Sequence, residues 1–418
     1  MKNRMHSRQS MNSSLLGTRL WNFLPCLAIL TSLLVSNASG VGTRLPNQDP
    51  EAIARGNAFA ATADNPSAIY YNPAGITQLE GQQIRAGIYL ISADVKYTSS
   101  SGATAQTDSS FQAVPQIYYV NSLTNTPFTL GLGVYAPYGL SLDWGNHPPF
   151  STLAENGKVL YLCVNPVIAW RVHPKFSIAI GPTINYSRAN FKQGLGFSPN
   201  DSFKFDGDAW AFGFNAGLRW QPDPHWAFGV NYRSATTMDY SGTTRTTPTS
   251  PFPPYFPATA TSASINFPQF VAAGVSFRPT KDWNLEFDID WTDWNAVKKI
   301  VFTGTPLGNI PFVLNYQSSF MYEFGITRQL GKGYFASVGY IYSENSSPDK
   351  NFSPLIPDAN LQLGSIGFGH HGRRLDWAVG YHFAYNPGRD VKNDVNPLAD
   401  GNYKTFNNAI NISTTLKF

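Results

Sequence analysis

Residues 375–386 read LDWAVGYHFAYN, and their side chains alternate strictly in character. The odd-numbered positions are large and mostly aromatic, whereas the even-numbered positions are small or polar. Because successive side chains of a β-strand point to opposite faces, this pattern predicts a strand with one apolar face. Such a face covers the core of a soluble sandwich or contacts lipid, and the rest of the chain must decide between the two.

The same alternation recurs from about residue 82 to the last residue, most clearly at 209–220, 226–233 and 283–291. The face opposite the aromatics is rich in Gly, Ala, Asn and Ser, with isolated carboxylates and arginines. A face in bulk water would carry more Lys and Glu, so this composition is typical of a confined lumen. Aromatic residues also cluster at the strand ends, as in the girdles of outer-membrane barrels. The aromatic faces are therefore predicted to contact lipid.

Overall composition agrees with this interpretation. Only 13% of the 418 residues are charged and 14% are aromatic, whereas about a quarter of a soluble domain is charged. The formal net charge is +4 and no Lys/Arg cluster is present, so nucleic acid is not an expected partner. Few charges and many aromatics suit a barrel that is apolar outside and polar within.

Residues 1–38 predict a cleaved export signal. A basic start is followed by the apolar run 20–35 and by a small-residue cleavage site at Ser36-Asn37-Ala38. The alternative, a membrane-anchoring helix, needs about 20 apolar residues, and this run is shorter. Cys163 would be the one cysteine of the mature chain, so no internal disulfide is expected. An exported integral protein without a further apolar helix must span the membrane as a closed β-barrel.

The spacing of breaks predicts the topology. Short turns lie at residues 121–127, 173–174, 221–225, 278–282, 331–333 and 371–374, and longer polar loops near 98–110, 144–157, 191–208, 241–262, 303–316, 344–360 and 387–402. This arrangement predicts an all-β protein in which residues 82–418 form a 14-stranded antiparallel transmembrane β-barrel in the bacterial outer membrane. The final strand ends in Phe418, which resembles an outer-membrane assembly signal.

Residues 39–81 do not alternate, and two Asn-Pro pairs, at 65–66 and 72–73, force tight non-helical backbone there. We expect this segment to be a compact hatch that fills the lumen, since porin-width barrels are otherwise empty inside. A disordered periplasmic tail is the alternative, but Ile53, Phe59 and Tyr70 are too apolar for it.

Several blocks of sequence resemble the FadL family of long-chain fatty acid and hydrocarbon transporters. They are ARGNAF (54–59), YNPAGITQL (71–79), AGIYLISADVKY (86–97), GDAWAFGFNAG (207–217), NYRS (231–234), NFPQF (266–270) and IDWTDWN (289–295). The resemblance implies a monomeric 14-stranded barrel plugged by an N-terminal hatch. It also implies a route: capture in a groove among outer loops, transfer to a lumen pocket, and exit sideways at a kinked third strand.

Two sets of residues are carried over by this resemblance. The hatch motif corresponds to Phe59, Asn72, Pro73 and Ala74. The capture groove corresponds to Phe191, Leu195, Phe197, Phe252, Tyr255 and Phe256, in two outer loops. Exposed aromatics on a polar loop by themselves indicate a binding surface. Self-packing of the Pro-rich loop 251–257 is the alternative.

Pro137 interrupts an otherwise regular strand at 130–144. Because Pro is excluded from central strands except at bulges and edges, Pro137, Tyr138 and Gly139 are the expected kink. They match the family's kink region, and the resemblance implies that this kink is the lateral gate. A tolerated bulge at the barrel rim is the alternative.

Arg188 and Lys192 lie near the family's basic contact and are possible partners for a carboxylate head group. The matching region on the tenth strand, residues 317–319, has no Lys, which leaves room for uncharged hydrocarbons. Inward-facing Glu286, Asp288 and Asp290 are expected to pair with Arg219 or Arg233.

The predicted function is therefore uptake of hydrophobic compounds, such as long-chain fatty acids, without a cofactor, a metal or catalysis. Monoaromatic or other uncharged hydrocarbons are the alternative substrates. A general diffusion porin and an outer-membrane phospholipase are the alternative functions, although no nucleophile motif is visible. Expected partners are the hydrophobic ligand and outer-membrane lipid.

Overall fold

The computed structural model describes residues 42–109, 111–198, 200–248 and 254–418. The predicted signal, residues 1–38, lies outside the described residues, as does Phe252. Within the described ranges each strand pairs antiparallel with its neighbours in the chain. The first strand also pairs with the last, from Gln83↔Lys417 to Thr98↔Asn402, so the sheet closes on itself.

The closed barrel has fourteen strands in the described ranges, as the sequence predicted. Their bounds are β1 Gln82–Thr98, β2 Thr104–Gln106 and Gln112–Ser122, β3 Phe128–Tyr135 and Gly139–Asp143, β4 Asn156–His173, β5 Phe176–Gln193, β6 Ser202–Trp220, β7 Trp226–Arg233 and Thr236–Thr247, β8 Thr259–Phe267 and Phe270–Thr280, β9 Trp283–Thr292 and Lys299–Thr305, β10 Gly308–Val313 and Ser319–Gly331, β11 Tyr334–Ser343, β12 Leu361–His371, β13 Leu375–Val391 and β14 Gly401–Lys417.

Helices are short. The N-terminal segment contains α1 Pro50–Ala54, α2 Ala68–Tyr71 and the 3₁₀ turn Pro73–Gln78. Further 3₁₀ turns are Trp294–Ala296, Asp349–Asn351 and Pro397–Ala399. In the described ranges, no helix combines the length and the apolar character needed to cross a membrane.

The aromatic faces point outward. In β13, Tyr381, Phe383 and Tyr385 are exposed, while His382 and Ala384 between them are buried. The outward rings pair across strands, as with Phe287 of β9 and Phe324 of β10, whose ring centroids are 4.6 Å apart. Such cross-strand aromatic pairs stabilise the sheet.

The interior holds more large rings than the sequence pattern indicated. Its fully buried side chains include Tyr70, Tyr118, Tyr135 and Tyr138. Tyr70 and Tyr135 pack edge to face at 5.3 Å, and Tyr135 stacks on Tyr118 at 5.8 Å. Tyr suits this place because its ring fills space and its hydroxyl finds a polar partner.

The outer connections are shorter than predicted. Residues 303–316, expected to be a loop, contain the end of β9 and the start of β10, which form a hairpin around Thr305↔Gly308. Likewise β7 runs to Thr247 and β8 starts at Thr259. The second part of β7, Thr236–Thr247, is called outer β7. Its outward positions are Thr, Asp, Ser and Arg rather than aromatic. These strand ends therefore have a polar outer face, and a pattern search for apolar alternation misses them.

Candidate functional site

The N-terminal segment, residues 42–79, is enclosed by the barrel strands. Almost every residue in it is buried, and it contacts strands on several sides of the lumen. Asp49 caps α1 by accepting a bond from Glu51 N. Arg85 of β1 donates to both Asp49 and Glu51 of this short helix, at 2.5 and 2.8 Å. This ion pair fixes the helix to the first strand.

One row of inward side chains on β9 holds the rest of the segment. Asp290 accepts two bonds of 2.6 Å from the guanidinium of Arg44. Asp288 accepts from the backbone N–H groups of Phe59 and Ala60, at 2.9 and 2.8 Å.

The next side chain in this row, Glu286, continues the contact. It accepts from Ala61 N and Thr62 N, at 2.8 and 3.0 Å. The three carboxylates lie at every second position of β9 and share one face of the strand. Each therefore accepts hydrogen bonds from a different part of the segment.

These partners correct one expectation. Arg219 and Arg233 do not pair with the β9 carboxylates. Arg219 donates to the carbonyl oxygen of Ala61 at 2.9 Å, and Arg233 donates to the hydroxyl of Tyr135. The sequence located the acids correctly on the inner face but could not show that an enclosed backbone would supply most of their donors.

Two inward glycines explain how the segment fits so tightly. A Cβ added to Gly229 of β7 would fall on the carbonyl oxygen of Ala60, far inside the 3.0 Å limit for real Cβ contacts. A Cβ on Gly339 of β11 would fall in the same way on the backbone nitrogen of Gly56. Backbone of the segment therefore lies directly against backbone of the barrel wall on two different sides.

The predicted hatch residues lie within this packing. Phe59 is fully buried, and its ring meets the ring of Tyr71 edge to face at 5.4 Å. The amide of Asn72 donates to the carbonyl oxygens of Ala60, at 2.7 Å, and of Leu218 in β6, at 3.0 Å. Its oxygen accepts from Ala74 N at 3.2 Å and so caps the 3₁₀ turn that begins at Pro73.

The third strand is broken where Pro137 was expected to interrupt it. Its inner part pairs with β2 as far as Val134↔Ile117. Its outer part, Gly139–Asp143, pairs with β4. In the part of the chain that the structure describes, the ladder between β3 and β2 does not continue past Val134. Farther out, a hydrogen bond from Asp108 N to Asp143 O, at 2.8 Å, connects the two strands.

The start of the N-terminal segment covers this break from inside. Leu45 N donates to Pro137 O at 2.9 Å, and Gly139 N donates to Thr43 O at 2.8 Å. Arg44 and Tyr138 form the intervening antiparallel bridge. The predicted gate residues are thus the ones that bind the segment, although their role in transport stays a prediction.

An apolar cavity lies in the outer half of the barrel, with an empty volume of about 790 Å³ including its mouth. Its lining is Thr43, Leu140, Val159, Phe191, Lys192, Gln193, Phe203, Ile265, Asn266, Phe267, Trp294, Val297, Ile300, Phe302, Phe312, Leu314, Tyr316, Leu355 and Ile356. The residues Thr43 and Leu140 place one side of the cavity at the break in β3.

The predicted groove residues are distributed differently from the expectation. Phe191 lines the cavity. Leu195 is half-buried beside the core, Phe197 is 68% exposed, and Tyr255 is half-buried. Phe256 is buried against Phe203, with ring centroids 6.5 Å apart.

The loop that carries Leu195 and Phe197 is ordered by one carboxylate. Asp201 accepts bonds of 2.7–3.2 Å from four successive backbone N–H groups, those of residues 195–198. Burial alone would raise the pKa of Asp201, but these four donors outweigh it and hold the pKa below its ordinary value. The loop is thus built around a charged Asp201.

The two predicted head-group cations differ. Arg188 pairs with Asp206 at 2.8 Å, and its side chain is 60% exposed. Lys192 lines the cavity, but its ammonium binds Glu155 at 2.7 Å and the Asn146 side chain at 3.0 Å. Arg188 is absent from the cavity lining, and the charge of Lys192 is already neutralised.

Sequence reasoning missed much of the cavity wall. Ile300 and Phe302 share the buried face of KIVFTGT, a run of β-branched and aromatic residues that is a strand signal in a stretch partly assigned to a loop. Leu355 and Ile356 form an apolar pair between two prolines in a segment otherwise read as polar. Trp294 lies within the family-like block 289–295 but had no assigned role.

Comparison with known proteins agrees with this architecture. A family model described as "Outer membrane protein transport protein (OMPP1/FadL/TodX)" matches residues 31–414. The long-chain fatty acid transport protein of Escherichia coli K12 is 22% identical over 418 aligned positions, covering 89% of this chain and 93% of that protein.

Solved structures share the fold. A Pseudomonas aeruginosa FadL homologue superposes with a TM-score of 0.80 at 17% identity, covering 90% of this chain and 100% of the other. The P. putida toluene transporter TodX gives 0.68 at 16% identity, covering 91% and 99%. With the family match spanning most of its length, this chain belongs to the OMPP1/FadL/TodX family of outer membrane transport proteins.

Proposed function

We propose that this protein takes up hydrophobic compounds, such as long-chain fatty acids, across the outer membrane. Ligand is captured among the outer loops, enters the apolar cavity and leaves sideways through the break in β3. The observation that carries the proposal is the position of Thr43. Thr43 lines the cavity. Its carbonyl oxygen also accepts a hydrogen bond from Gly139 N, and this bond is part of the contact that covers the break.

The cavity wall supplies affinity without specific polar contacts. Transfer of each ligand methylene out of water contributes about 0.8 kcal/mol, so an alkyl chain can concentrate there. Release requires a change at the Thr43–Leu45 contact, and this contact consists of ordinary backbone hydrogen bonds, each with a net contribution of about 0.5–1.5 kcal/mol. No energy source within the protein is needed for such a small change.

Monoaromatic or other uncharged hydrocarbons are the second candidate substrates. Neutralisation of Lys192 by Glu155 favours them, because the cavity then offers a carboxylate no free cation. The names of relatives include both classes, a fatty acid transport protein and a toluene transporter.

A general diffusion porin needs a water-filled channel, and the buried N-terminal segment occupies the lumen at the level of β9. We further propose that the protein is a monomer surrounded by outer-membrane lipid, and that it performs no catalysis.

A charged side chain in the cavity tests the proposed binding site. Phe302 is buried among Phe191, Phe203 and Phe205. We expect Phe302→Glu to reduce uptake of labelled fatty acid and of labelled toluene at least tenfold, roughly the effect of a 1.4 kcal/mol loss of binding, because an unpaired charge is costly in an apolar site. The matched variant Phe302→Leu should retain most uptake. Unchanged transport by Phe302→Glu would contradict the assignment of the cavity as the binding site. Transport of small polar solutes alone would favour a porin.

A reversible cross-link tests the sideways exit. Leu45 and Pro137 lie opposite each other beside the Arg44–Tyr138 bridge, so their Cα separation suits a disulfide. We expect oxidised Leu45→Cys/Pro137→Cys protein to stop uptake while still binding ligand, and reduction to restore uptake. Each single variant controls for the substitutions. Equal uptake by the oxidised and reduced double variant would reject exit at this break.

A further inference from the structure

Two hydrogen-bond donors in the wall of the apolar cavity have no partner. The indole N–H of Trp294 and the hydroxyl of Tyr316 both belong to residues that line the cavity, and neither atom is hydrogen-bonded to any described residue. Their side chains are buried, with 2% and 1% of their surfaces exposed. Buried polar groups in native proteins are nearly always paired, so each such exception needs an explanation.

The two rings are held in fixed positions. Trp294 opens the short 3₁₀ turn Trp294–Ala296, and Tyr316 N donates to the carbonyl oxygen of Val297 at 3.1 Å. The rings meet edge to face with centroids 6.0 Å apart. The outer edge of the indole also packs on Gly42, where an added Cβ would come within 2.7 Å of it. Both rings, each with an unpaired donor, are therefore held in one rigid corner of the cavity wall.

Two other polar side chains of the lining, unlike these two donors, already have partners within the protein. Lys192 binds Glu155 and Asn146. Asn266 accepts from Thr237 and donates to the carbonyl oxygen of Ala296. Among the described lining residues, the unpaired buried side-chain donors are those of Trp294 and Tyr316, whereas the remaining wall is mainly aliphatic and aromatic.

We propose that this corner recognises the polar end of the transported molecule, and that the preferred ligand is an uncharged hydrophobic compound carrying a hydrogen-bond acceptor, such as a ketone, aldehyde, ester or ether. The inference rests on the proposed uptake function and specifies its substrate class. A carbonyl oxygen has two lone pairs and can accept from a donor without adding charge. A pure hydrocarbon leaves both donors unpaired, and a carboxylate brings a charge for which Lys192 is not free.

Matched ligands of equal chain length test this specificity. Binding of labelled decane, 2-decanone and decanoate would be measured by equilibrium dialysis on protein in lipid nanodiscs. We expect the ketone to bind the wild type about ten- to a hundredfold more tightly than decane, since pairing a buried orphan donor is worth about 1–3 kcal/mol and tenfold corresponds to 1.4 kcal/mol. Decanoate should bind more weakly than the ketone.

Removal of the donors should erase the preference and leave the apolar affinity. The variants Trp294→Phe and Tyr316→Phe keep an aromatic ring at each position, and each should lower the ratio of ketone to decane affinity. In the double variant this ratio should approach one while decane binds about as well as to the wild type. Equal binding of ketone and decane by the wild type, which needs no variant, would overturn the inference.

The outcomes separate this inference from the function beneath it. Failure of all three ligands to bind the wild type would refute the proposed uptake function itself. Strong decane binding without a ketone preference would be consistent with the uptake function, but it would refute recognition of a hydrogen-bond acceptor on the ligand. Tightest binding of decanoate, lost in the double variant, would show that the corner serves an anion and would refute an uncharged ligand.

Discussion

The substitution Asp290→Ala should loosen the N-terminal segment from the barrel and lower its stability by about 3–5 kcal/mol, the usual effect of leaving one partner of a buried ion pair alone. Arg44 is 2% exposed and gives Asp290 two hydrogen bonds of 2.6 Å. Without Asp290, the hydroxyl of Thr292, at 2.7 Å, is left as the side-chain hydrogen-bond partner of Arg44 among the described residues. Because Arg44 forms the bridge to Tyr138, the cover over the break in β3 should weaken too.

Two measurements would detect this change. The variant should unfold at lower temperature in detergent, and limited proteolysis should cleave residues 42–62 faster than in the wild type. The double variant Arg44→Met/Asp290→Leu is the informative control, since apolar replacement of both partners of a buried pair is often neutral or stabilising. It should regain most of the lost stability in a double-mutant cycle. Equal destabilisation of the single and double variants would contradict the assignment of the loss to an unpaired charge.

The barrel could be predicted from the sequence because it depends on a local rule. An apolar outer face and an enclosed lumen impose a period of two on every spanning strand. Stretches such as 375–386 therefore indicate both their conformation and their orientation. The rule fails where its cause ends. Outer β7 stands beyond the apolar band and places Thr, Asp and Ser outside, so its continuation to Thr247 left no aromatic alternation to detect.

The candidate site was less predictable because it depends on contacts between distant residues. Arg44 and Asp290 are 246 positions apart, and their pairing is set by how the enclosed segment is threaded through the barrel. Pro137 was visible as a break by its chemistry alone, since it cannot donate to a ladder. The residues that cover the break, Thr43–Leu45, carry no sequence signal that would indicate this contact. The unpaired donors of Trp294 and Tyr316 can be recognised only when their full surroundings are known.

A single methyl group at Gly229 should displace the N-terminal segment and open the lumen. In Gly229→Ala, the new Cβ would overlap the carbonyl oxygen of Ala60, and both atoms belong to or adjoin backbone that cannot rotate away. Ala60 N and Ala61 N also donate to Asp288 and Glu286, so moving this stretch breaks those bonds as well. Overpacking typically costs about 1–3 kcal/mol, and each buried carboxylate left with fewer donors adds to it.

The expected signature is increased permeability rather than loss of the barrel. Gly229→Ala should give larger single-channel conductance in planar bilayers and greater entry of a bulky polar antibiotic into cells, while the outward aromatic faces and the closure of β1 on β14 remain. Gly157→Ala is the matched control, because its Cβ would first meet a flexible methyl of Leu355 at 3.0 Å, which can turn aside. Adding Gly339→Ala, which overlaps Gly56 from another side, should increase the effect of Gly229→Ala. Wild-type conductance in both Gly229→Ala and the double variant would mean that the N-terminal segment does not seal the lumen, because two backbone overlaps on different sides cannot both be relieved without moving it.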